Sequence, residues 1–153
     1  MTARILFSAA LLLAGASTAH AQDNAPRPGP AVPQARNELP FNDCLRTDRI
    51  NEWAVVDART VAVRNGPNHF VVKTSADCPR MDLGGGIRFK SSNSDKAMGE
   101  MRICGGIDEK ILRRNEPPCQ VQSVQTIDKA TFESMKKSAK RRGSGAQLPS
   151  PGG

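Results

Sequence analysis

The chain has no tyrosine, one tryptophan and five phenylalanines in 153 residues. Any hydrophobic core is therefore aliphatic and small. Few flat rings are available to stack on bases, which argues against a nucleic-acid partner. Histidine is almost missing. Of the two present, His20 lies in the leading segment, and His69 stands beside a turn with no partner that the sequence can assign to it. A Ser-His-Asp hydrolase needs such a network, so no catalytic residue is identified. There is no C-x-x-C and no close pair of Cys or His, which argues against zinc binding and thiol redox chemistry. Gly84-Gly85-Gly86 lacks the spacing of a dinucleotide fingerprint or a P-loop; it reads as a bend leading into a strand. No metal and no cofactor are expected. No apolar run approaches the roughly 20 residues that span a bilayer.

What is present begins with an address. Arg4 precedes an apolar run from Ile5 to Ala14, and Ala19-His20-Ala21 fits a small-residue cleavage site. Residues 1–21 read as a signal peptide, which places the mature protein in the periplasm or outside the cell. Residues 22–40 hold Pro26, Pro28, Pro30, Pro33 and Pro40. Each proline fixes φ and removes a donor, so this stretch reads as a disordered linker. Residues 143–153, GSGAQLPSPGG, read as a disordered tail. The folded unit is expected at residues 41–142, short enough to need covalent bracing.

Within that unit the apolar pattern has the period of strands. Glu52 to Asp57 puts Trp53 and Val55 on one face, with Ala54 and Val56 on the other. Val61 and Val63 alternate in the next run, and Phe70 and Val72 in the run after it. Asp57-Ala58-Arg59 and Asn65-Gly66-Pro67-Asn68 separate the three as turns. Ile87 and Phe89 begin a further strand. Ser91 to Glu100 is polar and reads as a loop. Met101 to Cys104 forms a short strand, and Ile107 to Arg113 fits helix or strand equally. Cys119 to Ile127 carries Val121, Val124 and Ile127, a strand whose phase changes as at a bulge. Asp128 can cap a helix from Lys129 to Arg141, on which Phe132, Met135 and Ala139 form an apolar stripe. The expected fold is mainly β: a small antiparallel sheet or half-barrel with one C-terminal α-helix and two disulfides.

Cys44, Cys78, Cys104 and Cys119 are an even set in an exported chain, where disulfides are the expected state. Of the three possible connectivities, Cys44–Cys78 and Cys104–Cys119 are favoured, since one bridge would clamp the ends of the three-strand run and the other would close the Ile107–Pro118 excursion.

Other candidates weigh less. Asp108 and Glu109 are adjacent acids, with Asp95 and Glu100 nearby, and read as solvated loop residues. Trp53 reads as core. The chain carries 22 basic and 15 acidic residues, but the excess is local. Lys136, Lys137, Lys140, Arg141 and Arg142 form a basic cluster at the end of the expected helix, where the dipole favours cations. That cluster is the candidate for binding an anionic envelope surface.

The run Cys44-x-x-x-x-x-Ile50-x-x-Trp53-x-Val55-x-Asp57-x-x-Thr60-x-x-Val63 resembles the opening of a family of small exported bacterial proteins, the one called domain of unknown function 6491. Cys78-Pro79, Ile87-x-Phe89 and Cys119-x-Val121-x-x-Val124 are similar to its later landmarks. The resemblance covers residues 44–127 and leaves out Cys104 and the basic helix. It implies a fold and an exported location, and no activity. The functional expectation is a non-enzymatic periplasmic binding or structural domain. The alternatives are an envelope-associated protein held by its basic helix, or a small periplasmic enzyme or enzyme inhibitor.

Overall fold

The computed structural model describes residues 38–83, 86–99 and 101–145. The expected signal peptide, most of the proline-rich linker and most of the tail lie outside them. Among the described residues nine strands and two α-helices run in the order β1 (Leu45–Arg46), β2 (Ile50–Val55), β3 (Thr60–Asn65), β4 (Asn68–Thr74), β5 (Ile87–Lys90), α1 (Asn93–Ala97), β6 (Arg102–Ile103), β7 (Lys110–Arg113), β8 (Cys119–Ile127), α2 (Lys129–Ser138) and β9 (Arg141–Ser144). Seven strands form one antiparallel sheet in the order β5-β7-β8-β4-β3-β2-β9, and β1 pairs separately with β6. The larger sheet curls into a half-barrel.

The strand period accounts for the two sides of this sheet. Trp53, Val55, Val61, Val63, Phe70, Val72, Val121 and Val124 are buried together on one face. Ala54 and Ala62 face the other way, and their small side chains leave room for Phe132 of α2. Gly66 opens the β3–β4 hairpin at φ 60, a conformation that glycine adopts without a Cβ penalty. The phase change in β8 is a bulge: Lys73 faces Ser123 but Thr74 faces Val121. Asp128 caps α2 through a 2.8 Å bond from the Thr131 N–H, and Phe132, Met135 and Ala139 pack on the sheet as the apolar stripe requires.

Four expectations change. The disulfides are Cys44–Cys104 and Cys78–Cys119, not Cys44–Cys78 and Cys104–Cys119. The reason is register. Leu45 faces Ile103 in the β1–β6 pair, which carries Cys44 beside Cys104 with their Cα atoms 4.7 Å apart. The chain leaving β4 runs along the start of β8, where Ser75 N–H bonds Gln120 O at 3.0 Å, so Cys78 meets Cys119.

The basic C-terminal helix also ends early. Ala139 is extended, and Lys140 N–H turns from the helix to the Val55 carbonyl at 2.9 Å. Arg141–Ser144 then pair with β2, whose outer edge would otherwise hold unpaired backbone groups. Arg141 and Arg142 are therefore strand residues, and the ordered pairing runs past residue 142. Gly143 makes this possible: it lies against the Trp53 indole, where a Cβ would come within 2.1 Å of Trp53 Cζ2.

The polar Ser91–Glu100 stretch contains α1, capped by Ser92, which accepts from Asp95 N–H at 3.1 Å. Finally, Glu38–Pro40 belong to the fold and not to a linker. Leu39 packs against the core and donates to the Cys104 carbonyl at 2.9 Å.

Candidate functional site

The five basic residues separate into three settings. Lys136 is tied down: its Nζ lies 2.6 Å from Glu52 and 5.8 Å from the centre of the Phe132 ring. Burial alone would raise the Glu52 carboxyl. Hydrogen bonds from Lys136 and Arg64, with their charges, outweigh it and hold the group below the usual carboxylate range. Arg141 points into the half-barrel, 5.3 Å from the Trp53 ring centre, and donates to the Leu83 carbonyl. Arg113 of β7 donates to the same carbonyl, so two guanidinium groups meet where the sheet curls round. Burial and the Arg113 charge both lower the Arg141 pKa. Arg142 takes the other face of β9 and donates to Lys137 O at 3.2 Å, satisfying a carbonyl at the end of α2. Lys137, Lys140 and Arg142 thus share the exposed C-terminal end of α2. Among the described residues no acid pairs with Lys137 or Lys140.

The acids also sort differently from the sequence reading. Asp108 is exposed, at φ 72 in a tight turn. Glu109 is buried and not solvated. Its carboxylate accepts from the Cys104, Gly105 and Gly106 N–H groups at 2.7, 2.7 and 3.0 Å. Burial pushes this carboxyl above its ordinary value despite those three donors, and the charge of Asp95 adds to the rise. The arrangement fastens the turn that follows Cys104. Asp95 serves the cap of α1. His69 lies against Phe132, with ring centres 4.9 Å apart, which makes it a packing residue between β4 and α2. Trp53 is core, as its alternation required. Among the described residues no group of three or more His, Cys, Asp or Glu is placed to hold a metal ion, and no helix is long and apolar enough to cross a membrane.

One feature was not visible in the sequence. A cleft of about 530 Å³ opens beside the β1–β6 pair, with Arg46, Arg49 and Arg102 in its walls and Ile50 and Phe70 in its lining. Arg46 holds Asp48 through two bonds of 3.1 and 2.9 Å. Asn65 Nδ2 fixes the Arg46 carbonyl at 2.7 Å, and Asn51 Oδ1 accepts from the Gly66 N–H.

These features define a class: a small curled antiparallel β domain, cross-linked by two long-range disulfides, with polar clefts and a basic helix end. The family model described as "Family of unknown function (DUF6491)" matches residues 1–143, so the chain belongs to that family. No curated protein and no solved structure matches it.

Proposed function

We propose that this chain is a non-enzymatic binding domain that works in the periplasm or outside the cell. The observation that supports the location in this reading is the use of cysteine. All four side chains are in disulfides, and each bridge joins segments far apart in sequence. Such bridges persist in oxidising compartments and are rare in the cytosol. The leading segment of Arg4, the Ile5–Ala14 run and Ala19-His20-Ala21 is consistent with that address. The test is fractionation of cells producing the protein, with thiol labelling of each fraction. Shortened, unlabelled protein in the periplasm or medium is the expected result. Full-length protein with free thiols in the cytoplasm would sink the proposal.

A second reading, attachment to an anionic envelope surface, is supported by Lys137, Lys140 and Arg142 at the exposed end of α2. Truncation before β9 is a poor test, because it would uncover Trp53 and the edge of β2. Lys137→Gln with Lys140→Gln removes charge and leaves the strand in place. Co-sedimentation with anionic vesicles at low salt, lost in this variant and at high salt, is the expected result. Equal sedimentation of both proteins would remove the reading.

A further inference from the structure

Asn65-Gly66 is the one Asn-Gly pair in the chain. Asparagine before glycine readily modifies itself, because the following residue has no side chain to hinder attack. The glycine amide nitrogen attacks the asparagine Cγ and forms an N–C bond, and the carboxamide nitrogen leaves as ammonia. Water then opens the cyclic imide at either carbonyl. The net change is amide and water to carboxylate and ammonium, on a normal or an isomerised backbone.

Both ends of that reaction are occupied in this fold. The nucleophile is the Gly66 N–H, which donates to Asn51 Oδ1. Gly66 is exposed, so hydrogen bonding and not burial restrains it. The leaving group is Asn65 Nδ2, which donates to the Arg46 carbonyl at 2.7 Å. Asn65 itself is buried at the end of β3, paired with Ile50 on one side and Asn68 on the other. Closing the imide ring requires Asn65 to leave this extended conformation, so the fold withholds the alignment that attack needs.

The restraining groups come from outside the β3–β4 hairpin. The β2–β3 register shifts between Ile50 and Glu52, which leaves Asn51 out of the ladder as the extra residue of a bulge. Bulges re-aim side chains, and this one sets the Asn51 carboxamide against the turn. The Gly145 N–H holds the Asn51 carbonyl at 2.9 Å. Arg46 lies in β1, a strand of two residues just beyond the Cys44–Cys104 bridge.

We propose that Asn65 is a self-modification site gated by the fold. It is silent while Asn51 and Arg46 hold it and reactive once the β1 segment lets go. Loss of Cys44–Cys104 frees the chain that carries Arg46 and so admits the reaction. The product sets a carboxylate, which only accepts, against the Arg46 carbonyl, so the native bond cannot re-form. A reversible opening thereby becomes a permanent mark on the molecule. The inference stands apart from the location and binding readings above.

The experiment incubates the full chain, both disulfides formed, at mildly alkaline pH and follows Asn65 conversion by peptide mapping in a mass spectrometer. Native protein is expected to convert at least about tenfold more slowly than the same chain in guanidinium chloride, since two hydrogen bonds and a strand pairing must open first. Asn51→Ala is expected to convert about fivefold faster than the native protein, the factor that loss of one hydrogen bond gives. Asn51→Asp keeps an acceptor for the Gly66 N–H and is expected to convert as slowly as the native protein. Near-ultraviolet circular dichroism checks that both variants fold. Cys44→Ala with Cys104→Ala is expected to convert at a rate between the native and denatured chains. Equal rates in native and denatured protein overturn the proposal. So does an Asn51→Ala rate no higher than that of Asn51→Asp, or a rate unchanged by loss of the bridge.

Discussion

β2, β3 and β4 pair over strands of six, six and seven residues, each joined to the next by a tight turn. β1 and β6 pair over two residues each, and the chain between them makes most of the sheet. The first region is held by a long ladder and a continuous apolar face. The second has too few backbone bonds to hold itself, and Cys44–Cys104 does that work, with Glu109 fastening the adjoining turn. Strand length decides which regions need covalent help: a ladder of six residues closes a short loop, whereas a ladder of two must close a separation of 60 residues between its cysteines.

Removing the bridges is the strongest way to break this contrast. The Cys44–Cys104 and Cys78–Cys119 separations are 60 and 41 residues, and loop-closure entropy assigns each bridge about 4 kcal/mol. Cys44→Ala with Cys104→Ala is expected to lower the denaturant midpoint accordingly. Under native conditions it should expose the amides of β1 and β6 to hydrogen exchange while those of β3 and β4 stay protected. Equal loss in both regions would mean that they unfold as one unit.

Gly143→Ala tests the outer edge of the three-strand region. Its Cβ would enter the Trp53 indole, and overpacking of this kind costs about 1–3 kcal/mol. The expected result is a lower unfolding midpoint, with the Trp53 emission shifted to the red as β9 lifts from β2. Unchanged stability and emission would show that β9 does not depend on that contact.

The smallest effect belongs to Glu52, which joins β3 to α2 through Arg64 and Lys136. Its carboxyl is held below the ordinary value of 4.5 in the folded protein. Its contribution is therefore present above that pH and is lost as pH falls through the lower folded value. Both partners are partly exposed, so the pair is worth less than about 1 kcal/mol. Glu52→Gln should lower stability near pH 7 by up to that amount and leave it unchanged at acid pH, which flattens the acid limb of the stability profile. An identical acid limb in the variant would show that Glu52 is not linked to the transition.

The same contrast explains what the sequence disclosed. Trp53 and Val55, Val61 and Val63, Phe70 and Val72 repeat every second residue because one face of a long strand is buried, so the sheet was legible. Phe132, Met135 and Ala139 disclosed α2 in the same way. The cysteine pairing was hidden because a strand of two residues has no period, and the meeting of Cys44 with Cys104 depends on the Leu45–Ile103 register alone. β9 was hidden because Arg141-Arg142-Gly143-Ser144 has no apolar alternation; it is recruited by the open edge of β2 and the flat space above Trp53. Glu109 gave no signal, since an acid among polar residues is buried only when three N–H groups converge on it. The Arg46–Arg102 juxtaposition inherits the same obscurity from the β1–β6 pair. Of the two sites, the basic helix end was visible as composition and the arginine cleft was not visible at all.

The seat of Trp53 beneath Gly143 has an optical consequence. With one tryptophan and no tyrosine in the chain, its ultraviolet emission comes almost wholly from one indole, buried in the core and overlain by the Arg141 guanidinium. The colour and intensity of that light report whether the last strand is in place, without any label, in every preparation of the protein.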